Sequence, residues 1–350
     1  MPELFWGGAE TQFRLLIEGI DKKAFDLHVL IEHSKRPRSS SDDEFINANS
    51  GKVKFHELSN RSGQGKRAKL KLLLDFFSKR KQDSFDLVII YGGDSFLLIP
   101  WLKASGYTIC YSDRNAGKTT LRQRIKSFFY RPADIIVCNS KATFDLRART
   151  GKNVEFIPNA TKVSQESIHS GYDSNTILLM ARIARVKNIE CAVQALRYLP
   201  DEMTITLIGK AEDQAYEEEL RTMVKKLDVT DRFLFKGYSE NIAKELEGSF
   251  CTILPSREEG MPNAVLESWA HERVSIVSDV PGNTNLIHDP QYVFPCDAPE
   301  VLAGRIMDLK ARSRDEYNEI CAKARLHAKQ SYSIPAMIDK YEKMFESAAS

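Results

Sequence analysis

At 350 residues, with 42% hydrophobic and 28% charged side chains, the chain has material for two domains with real cores, and a wholly disordered protein is excluded. No apolar run approaches the roughly 20 residues of a membrane-spanning helix. No signal peptide is evident. The six cysteines are scattered without a C-x-x-C, so they read as buried free thiols in a reducing compartment rather than a disulfide framework or zinc site. The net charge of +2 divides into +9 over residues 1–160 and −7 over 161–350, so an anionic partner or surface is expected for the first half only.

The chain opens "MPELFWGGAETQFRLLIEGI". Gly7 and Gly8 stand directly before a helical run in which Phe13, Leu15, Leu16 and Ile20 are apolar at helical spacing. Two glycines at a helix N-terminus can bring backbone N–H groups close to a phosphate. Such a loop normally follows a strand. Either the glycines end a loose N-terminus, or the chain starts inside or just after a first strand of which "MPELF" is the tail.

Strand-like runs then alternate with helical ones: strands over 25–31, 52–58, 85–92, 107–113, 133–140 and 153–159, with a basic helix "KRAKLKLLLDFFSKRK" over 66–81 and another helix in "KTTLRQRIKSFFY". Asp42, Asp43 and Glu44 read as a solvated turn. Residues 159–175 are polar and rich in serine, as a linker is. The rhythm restarts with strands over 176–183, 205–210, 233–238, 249–256 and 274–280. This alternation predicts an α/β fold with parallel sheets covered by helices on both faces. Two Rossmann-like domains are expected to face each other across a cleft, residues 1–160 and 161–330. Ligands of such sheets bind outside the carboxyl ends of the strands.

The stretch richest in chemistry is "ILPSREEGMPNAVLESWA" (253–270). A strand ends near Pro255, a loop follows, and Pro262 stands where a helix begins, where its missing N–H costs little. Glu259 lies just before that helix and Glu267 inside it. The free N–H groups and positive dipole end of the first turn suit a diphosphate. The carboxylates suit sugar hydroxyls. Two solvated glutamates near a helix start are the bland alternative.

"EGMPNAVLE" resembles the E-x7-E motif of the family 4 retaining glycosyltransferases, which have the GT-B fold and serve bacterial polysaccharide and glycolipid biosynthesis. "GGAE" resembles that family's N-terminal glycine loop, "IPNA" (157–160) its link into the second domain, and "ARIARVKN" (181–188) its Gly-Arg-Leu-x-x-x-Lys-Gly segment. The resemblance implies that Arg182 and Lys187 bind the donor diphosphate, Glu259 the donor hexose and Glu267 the ribose. It further implies that Gly7, Gly8, Gly260, Met261, Pro262 and Asn263 line the donor. "YSDRNAG" resembles a variant of the segment that contacts the transferred sugar, which implicates Arg114 and Asn115. Ala181, Ala160 and Asn285 depart from the family pattern. The final segment, 331–350, resembles the family's last helix, which packs back on the first domain.

The resemblance implies a retaining, metal-independent hexosyltransferase with no cofactor. The implied donor is a nucleotide-diphosphate sugar, a UDP-sugar, and the implied acceptor is a saccharide or lipid-linked saccharide. The implied location is cytoplasmic, peripheral on the inner face of the cell membrane. The basic helix over 66–81 could lie on anionic lipid through Lys66, Lys69 and Lys71, or be half-buried in the fold. The alternative to an enzyme is a truncated or inactive GT-B protein that acts as a binding module. "NAGKTT" (115–120) evokes a phosphate loop, but the pattern needs a glycine where Ser112 stands. Neither a metal site nor nucleic-acid binding is expected.

Overall fold

The computed structural model describes residues 8–32, 40–58, 66–79, 85–91, 95–114, 121–163, 170–239 and 241–349. The chain divides into two units, Met1–Asn159 with Ile334–Ser350, and Ala160–Ser333.

The first unit contains α1 (Gly8–Gly19), β1 (Leu27–Glu32), α2 (Ser40–Asn49), β2 (Val53–Leu58), α3 (Lys66–Ser78), β3 (Val88–Tyr91), α4 (Ile99–Ala104), β4 (Ile109–Asp113), α5 (Leu121–Tyr130), β5 (Ile135–Cys138), α6 (Lys141–Ala148) and β6 (Asn153–Phe156). Among the described residues its strands are all parallel and form two sheets, β1–β2 and β3–β4–β5–β6. A cavity of about 220 Å³ is lined by Leu27–Leu30 of β1, Val88–Tyr91 of β3 and apolar side chains of α1 and α3. The expected strand tail in residues 1–5, and Gly7, lie outside the described residues.

The solvated turn expected at Asp42, Asp43 and Glu44 is instead part of α2. The reason is packing: Phe45 is buried against Ile17, Val29, Ile31 and Val53, which fixes this short polar segment as a helix. In α3 the apolar face is turned into the fold, with Leu73 and Phe77 buried against Ile90, Leu102 and Tyr107. Every position of β4 is buried, including Asp113. A carboxylate there requires a partner, and Arg147 donates to it at 2.9 Å from Nε.

The second unit contains β7 (Thr176–Met180), α7 (Ile189–Ala195), β8 (Thr204–Ile208), α8 (Gln214–Lys226), β9 (Phe233–Gly237), α9 (Ile242–Glu247), β10 (Cys251–Leu254), α10 (Asn263–Ala270), β11 (Ser275–Ser278), α11 (Pro281–Thr284), β12 (Val293–Phe294), α12 (Pro299–Lys310) and α13 (Arg314–Ser331). The parallel sheet runs β12-β11-β10-β7-β8-β9. Alternate residues serve opposite faces. Ile177 and Leu179 pack with α7, α8 and α12, whereas Leu178 and Met180 pack with Ile208 and Leu246. On that second side Val265, Leu266 and Trp269 of α10 cover Leu254 and Val277. Arg273 is fully buried, and its guanidinium donates to the carbonyls of Leu246 (2.8 Å), Glu247 (2.9 Å), His271 (3.2 Å) and Glu272 (2.9 Å). One cation thus satisfies the C-terminal carbonyls of both α9 and α10.

The last helix, α14 (Ile334–Ala349), is counted with the first unit. It packs against α1 so closely that a Cβ on Gly19 would stand 2.6 Å from Ile338 Cγ1. All six cysteines are free thiols, five buried and Cys296 half-buried. Among the described residues, no helix is long and apolar enough to cross a membrane.

Candidate functional site

The strand order of the second unit reverses between β7 and β10. Successive strands β7, β8 and β9 run one way, and β10, β11 and β12 the other. Crevices outside the carboxyl ends of strands at such a switch point are where open α/β sheets bind ligands. β7 and β10 pair directly, Ile177 with Cys251 and Leu178 with Thr252. The segments that leave them, 181–188 and 255–262, are therefore neighbours. Arg257 N–H donates to the Val186 carbonyl at 2.8 Å, and the buried Asn188 amide donates to the Pro255 carbonyl at 3.0 Å.

This apposition brings Lys187 to Glu259, Nζ to Oε1 2.6 Å, with side-chain exposures of only 16% and 9%. Ser256 Oγ donates to the same carboxylate oxygen at 2.7 Å. Glu259 is also held from its backbone side. A Cβ on Gly282 would stand 2.2 Å from the Glu259 carbonyl oxygen, so only glycine allows α11 to approach this closely. Arg182 pairs with Glu212, both about half exposed. That pair exists because the segments after β7 and β8 are zipped by Ile183 N–H to the Lys210 carbonyl at 2.9 Å and Glu212 N–H to the Ile183 carbonyl at 3.1 Å.

Helix α10 begins at Asn263, with Pro262 as its N-cap in extended conformation and no side-chain cap. Gly260, Met261 and Pro262 lead into its first turn, where Val265 N–H donates to the Pro262 carbonyl at 3.2 Å. Glu267, the fifth helical residue, is half-buried. Its carboxyl has no hydrogen-bond partner among the described residues, and burial pushes it up to about 7. The structure therefore brings Lys187 and Glu259 together in the segments after β7 and β10, and pairs Arg182, at the start of the first of these segments, with Glu212 after β8. Both cations are paired with carboxylates.

In the first unit Gly8 is the first residue of α1. Arg114 follows β4, and its guanidinium lies over the Tyr91 ring, 4.1 Å to the centroid. It donates to Asn159 Oδ1 at 2.8 Å, Ser112 Oγ at 3.1 Å and the Tyr341 hydroxyl at 3.4 Å. Asn115 and the "NAGKTT" segment lie outside the described residues. Sequence reading did not single out Glu212, Ser256 or Gly282. The glycine, four residues beyond the end of β11 and inside α11, was the most legible of the three. The carboxylate and the hydroxyl carry no local signal.

Two parallel α/β units of this kind are the GT-B architecture, and the chain has that fold. Residues 162–327 match the family described as Glycosyl transferases group 1. The chain is similar to an uncharacterized glycosyltransferase of Haemophilus influenzae, 24% identical over 242 residues, 66% of this chain and 67% of that protein. It is also similar to the lipopolysaccharide core biosynthesis glycosyltransferase LpsE of Rhizobium meliloti, 24% identical over 150 residues, 41% of this chain and 43% of that protein. Among solved structures, Anabaena HepE in complex with UDP and glucose superposes with a TM-score of 0.82 at 14% identity, covering 99% of this chain and 98% of that one.

Proposed function

We propose that the protein is a retaining glycosyltransferase that moves a hexose from a UDP-sugar to a saccharide or lipid-linked saccharide. The observation that carries this reading is the Lys187–Glu259 ion pair at the switch point of the second sheet, with Arg182 on the same segment after β7 and α10 starting four residues after Glu259. The donor diphosphate lies against the first turn of α10 and exchanges with carboxylates for the two cations. It takes Lys187 from Glu259 and Arg182 from Glu212. Glu259, released from Lys187, accepts hydrogen bonds from the hexose, while Glu267 accepts them from the ribose. Diphosphate binding and hexose recognition are then coupled through one ion pair. As the glycosidic C–O bond breaks, negative charge grows on the leaving diphosphate, where Arg182, Lys187 and the helix N–H groups stabilise it. The acceptor hydroxyl attacks from the same face and passes its proton to the departing phosphate oxygen. No protein nucleophile is needed. Arg114 fits the first-unit sugar contact least well, because its guanidinium is shared among Asn159, Ser112, Tyr341 and Tyr91. The HepE complexes with UDP, UDP-glucose and glucose support a UDP-glucose-like donor as the first to test.

The test is a screen of UDP-, GDP- and ADP-sugars for transfer or donor hydrolysis by the wild type and by the Arg182→Ala/Lys187→Ala variant. Turnover per folded protein should fall about a hundred- to a thousandfold in the variant, with the folded fraction checked by thermal unfolding because removing Lys187 leaves the nearly buried Glu259 carboxylate without its cation. Transfer by the double variant at the wild-type rate would remove the diphosphate assignment. Nucleotide-sugar binding without turnover by the wild type would leave the non-catalytic binding module.

A further inference from the structure

We propose that Arg257 is a positioning residue for Lys187, its guanidinium clipping the turn that carries Lys187 to the segments after β10 and β12. This rests on the reading of Lys187 as a diphosphate ligand and adds a residue that acts on the donor only through that lysine.

Lys187 ends a single 3-10 turn, Arg185–Lys187. So short a turn is held by little of its own. Lys187 N–H donates to the Ala184 carbonyl at 2.8 Å and Asn188 N–H to the Arg185 carbonyl at 3.2 Å. The chain then passes through Asn188, fully buried and left-handed at φ 53°, into α7. A left-handed asparagine persists where its surroundings fix it. Arg257 supplies much of that fixing. Besides the backbone bond to Val186, its Nη1 donates to the Arg185 carbonyl at 3.1 Å and to Glu190 Oε1 at 2.8 Å. Its Nη2 donates to Asp297 Oδ1 at 2.7 Å. Glu190 lies in the first turn of α7, and its other oxygen accepts from the Tyr216 hydroxyl, which in turn accepts from Ile189 N–H at 3.0 Å. Asp297 follows β12 and is itself left-handed, at φ 64°. One side chain therefore ties together the segments after β7, β10 and β12. It does so two residues from Lys187 at its Arg185 contact and two residues from Glu259 along its own segment.

Stability is not what this clip chiefly supplies. The side chains of Arg257 and Asp297 are 38% and 57% exposed, and ion pairs so exposed contribute little. A guanidinium contributes direction instead. Its donors leave one rigid plane at fixed angles, so a carbonyl and two carboxylates are held in a fixed relation to one another. Lys187 needs such a base because its own stem is flexible, and a misplacement of about 1 Å near reacting groups can cost about a hundredfold in rate. The Arg257 N–H bond to Val186 and the Asn188 bond to the Pro255 carbonyl do not involve the guanidinium. Substituting that side chain should therefore leave the unit folded and disturb the aim of Lys187.

The experiment is lysine acetylation of the native full chain by an N-hydroxysuccinimide ester, read by mass spectrometry, in wild type and Arg257→Gln. Lys187 should be modified about tenfold faster in the variant, as its pairing with Glu259 loosens. Lys310, held by the Tyr172 and Ser174 carbonyls ahead of β7, should keep its rate. Thermal unfolding should stay close to wild type. A double-mutant cycle on calorimetric affinity for UDP, GDP or ADP, whichever binds tightest, supplies an independent readout. Arg257→Gln should weaken binding about tenfold beside Lys187 and less than about twofold in the Lys187→Ala background. Equal losses in both backgrounds overturn the proposal, as does an unchanged Lys187 rate or an equal acceleration of Lys187 and Lys310. A wild type that binds none of the three nucleotides counts against the donor reading alone, and the acetylation rates still decide the positioning.

Discussion

Replacing Glu267 by glutamine should stabilise the ligand-free protein at alkaline pH while weakening its grip on nucleotide. The carboxyl sits five residues into α10, half-buried, with no hydrogen-bond partner among the described residues, and burial alone raises it from an ordinary 4.5 to about 7. A rise of that size corresponds to about 3 kcal/mol of preference for the neutral form. The sign follows from proton binding. Between those two values the folded state holds a proton that the unfolded state has released, so stability falls as pH rises. The loss is small at about pH 5, grows through neutrality and is complete above about pH 7. Glutamine keeps the shape and never ionises. Its advantage over glutamate should therefore widen by about 2 kcal/mol between roughly pH 5 and pH 8. Urea unfolding followed by tryptophan fluorescence reads this directly, since Trp269 lies in the same helix. An identical difference between the two proteins at both pH values would refute the reasoning. A widening difference with undiminished nucleoside-diphosphate affinity would keep the burial argument and remove the ribose role.

Arg273→Lys should destabilise the protein by about 3 kcal/mol or more, because one ammonium cannot reach the carbonyls of both helix ends and leaves buried acceptors unmet; unchanged urea unfolding would contradict this. Glu212→Gln should tighten nucleoside-diphosphate binding about two- to fivefold, the range of an exposed ion pair, by freeing Arg182. Calorimetric affinity equal to or weaker than wild type would show that Glu212 does not compete for that guanidinium.

The sheets were legible because buried parallel strands are written as unbroken apolar runs, such as Thr176–Met180 and Cys251–Leu254. The helix α10 was legible because Pro262 and the two glutamates punctuate it. Helix α2 was missed although Ser40 and the acids Asp42 to Glu44 are a plausible helix start. Their polarity suggested a turn, and what fixes the helix is the burial of Phe45 against strands elsewhere in the chain. The pairing of Lys187 with Glu259, 72 residues apart, follows from β7 lying beside β10. That of Arg182 with Glu212, 30 apart, follows from β8 lying on the other side. Strand order has no signature in local sequence, so neither neutralised cation could be read in advance. The same holds for Arg114, whose partners Asn159 and Tyr341 come from distant parts of the chain.

The distribution of thiols has a practical use. Five are buried, and burial raises Cys110, Cys138, Cys191, Cys251 and Cys321 far above the pH of ordinary labelling. Cys296 alone is half-buried, 3.8 Å from the Asn188 amide and 3.9 Å from the Ser256 carbonyl. These residues hold the segments that carry Lys187 and Glu259. A small thiol reagent applied to the native protein would therefore meet a single partly exposed sulfur, beside the site, which reacts slowly because burial and Asp297 raise its thiol too. Its alkylation rate in the presence and absence of a nucleotide offers a reporter of occupancy that requires no engineered label.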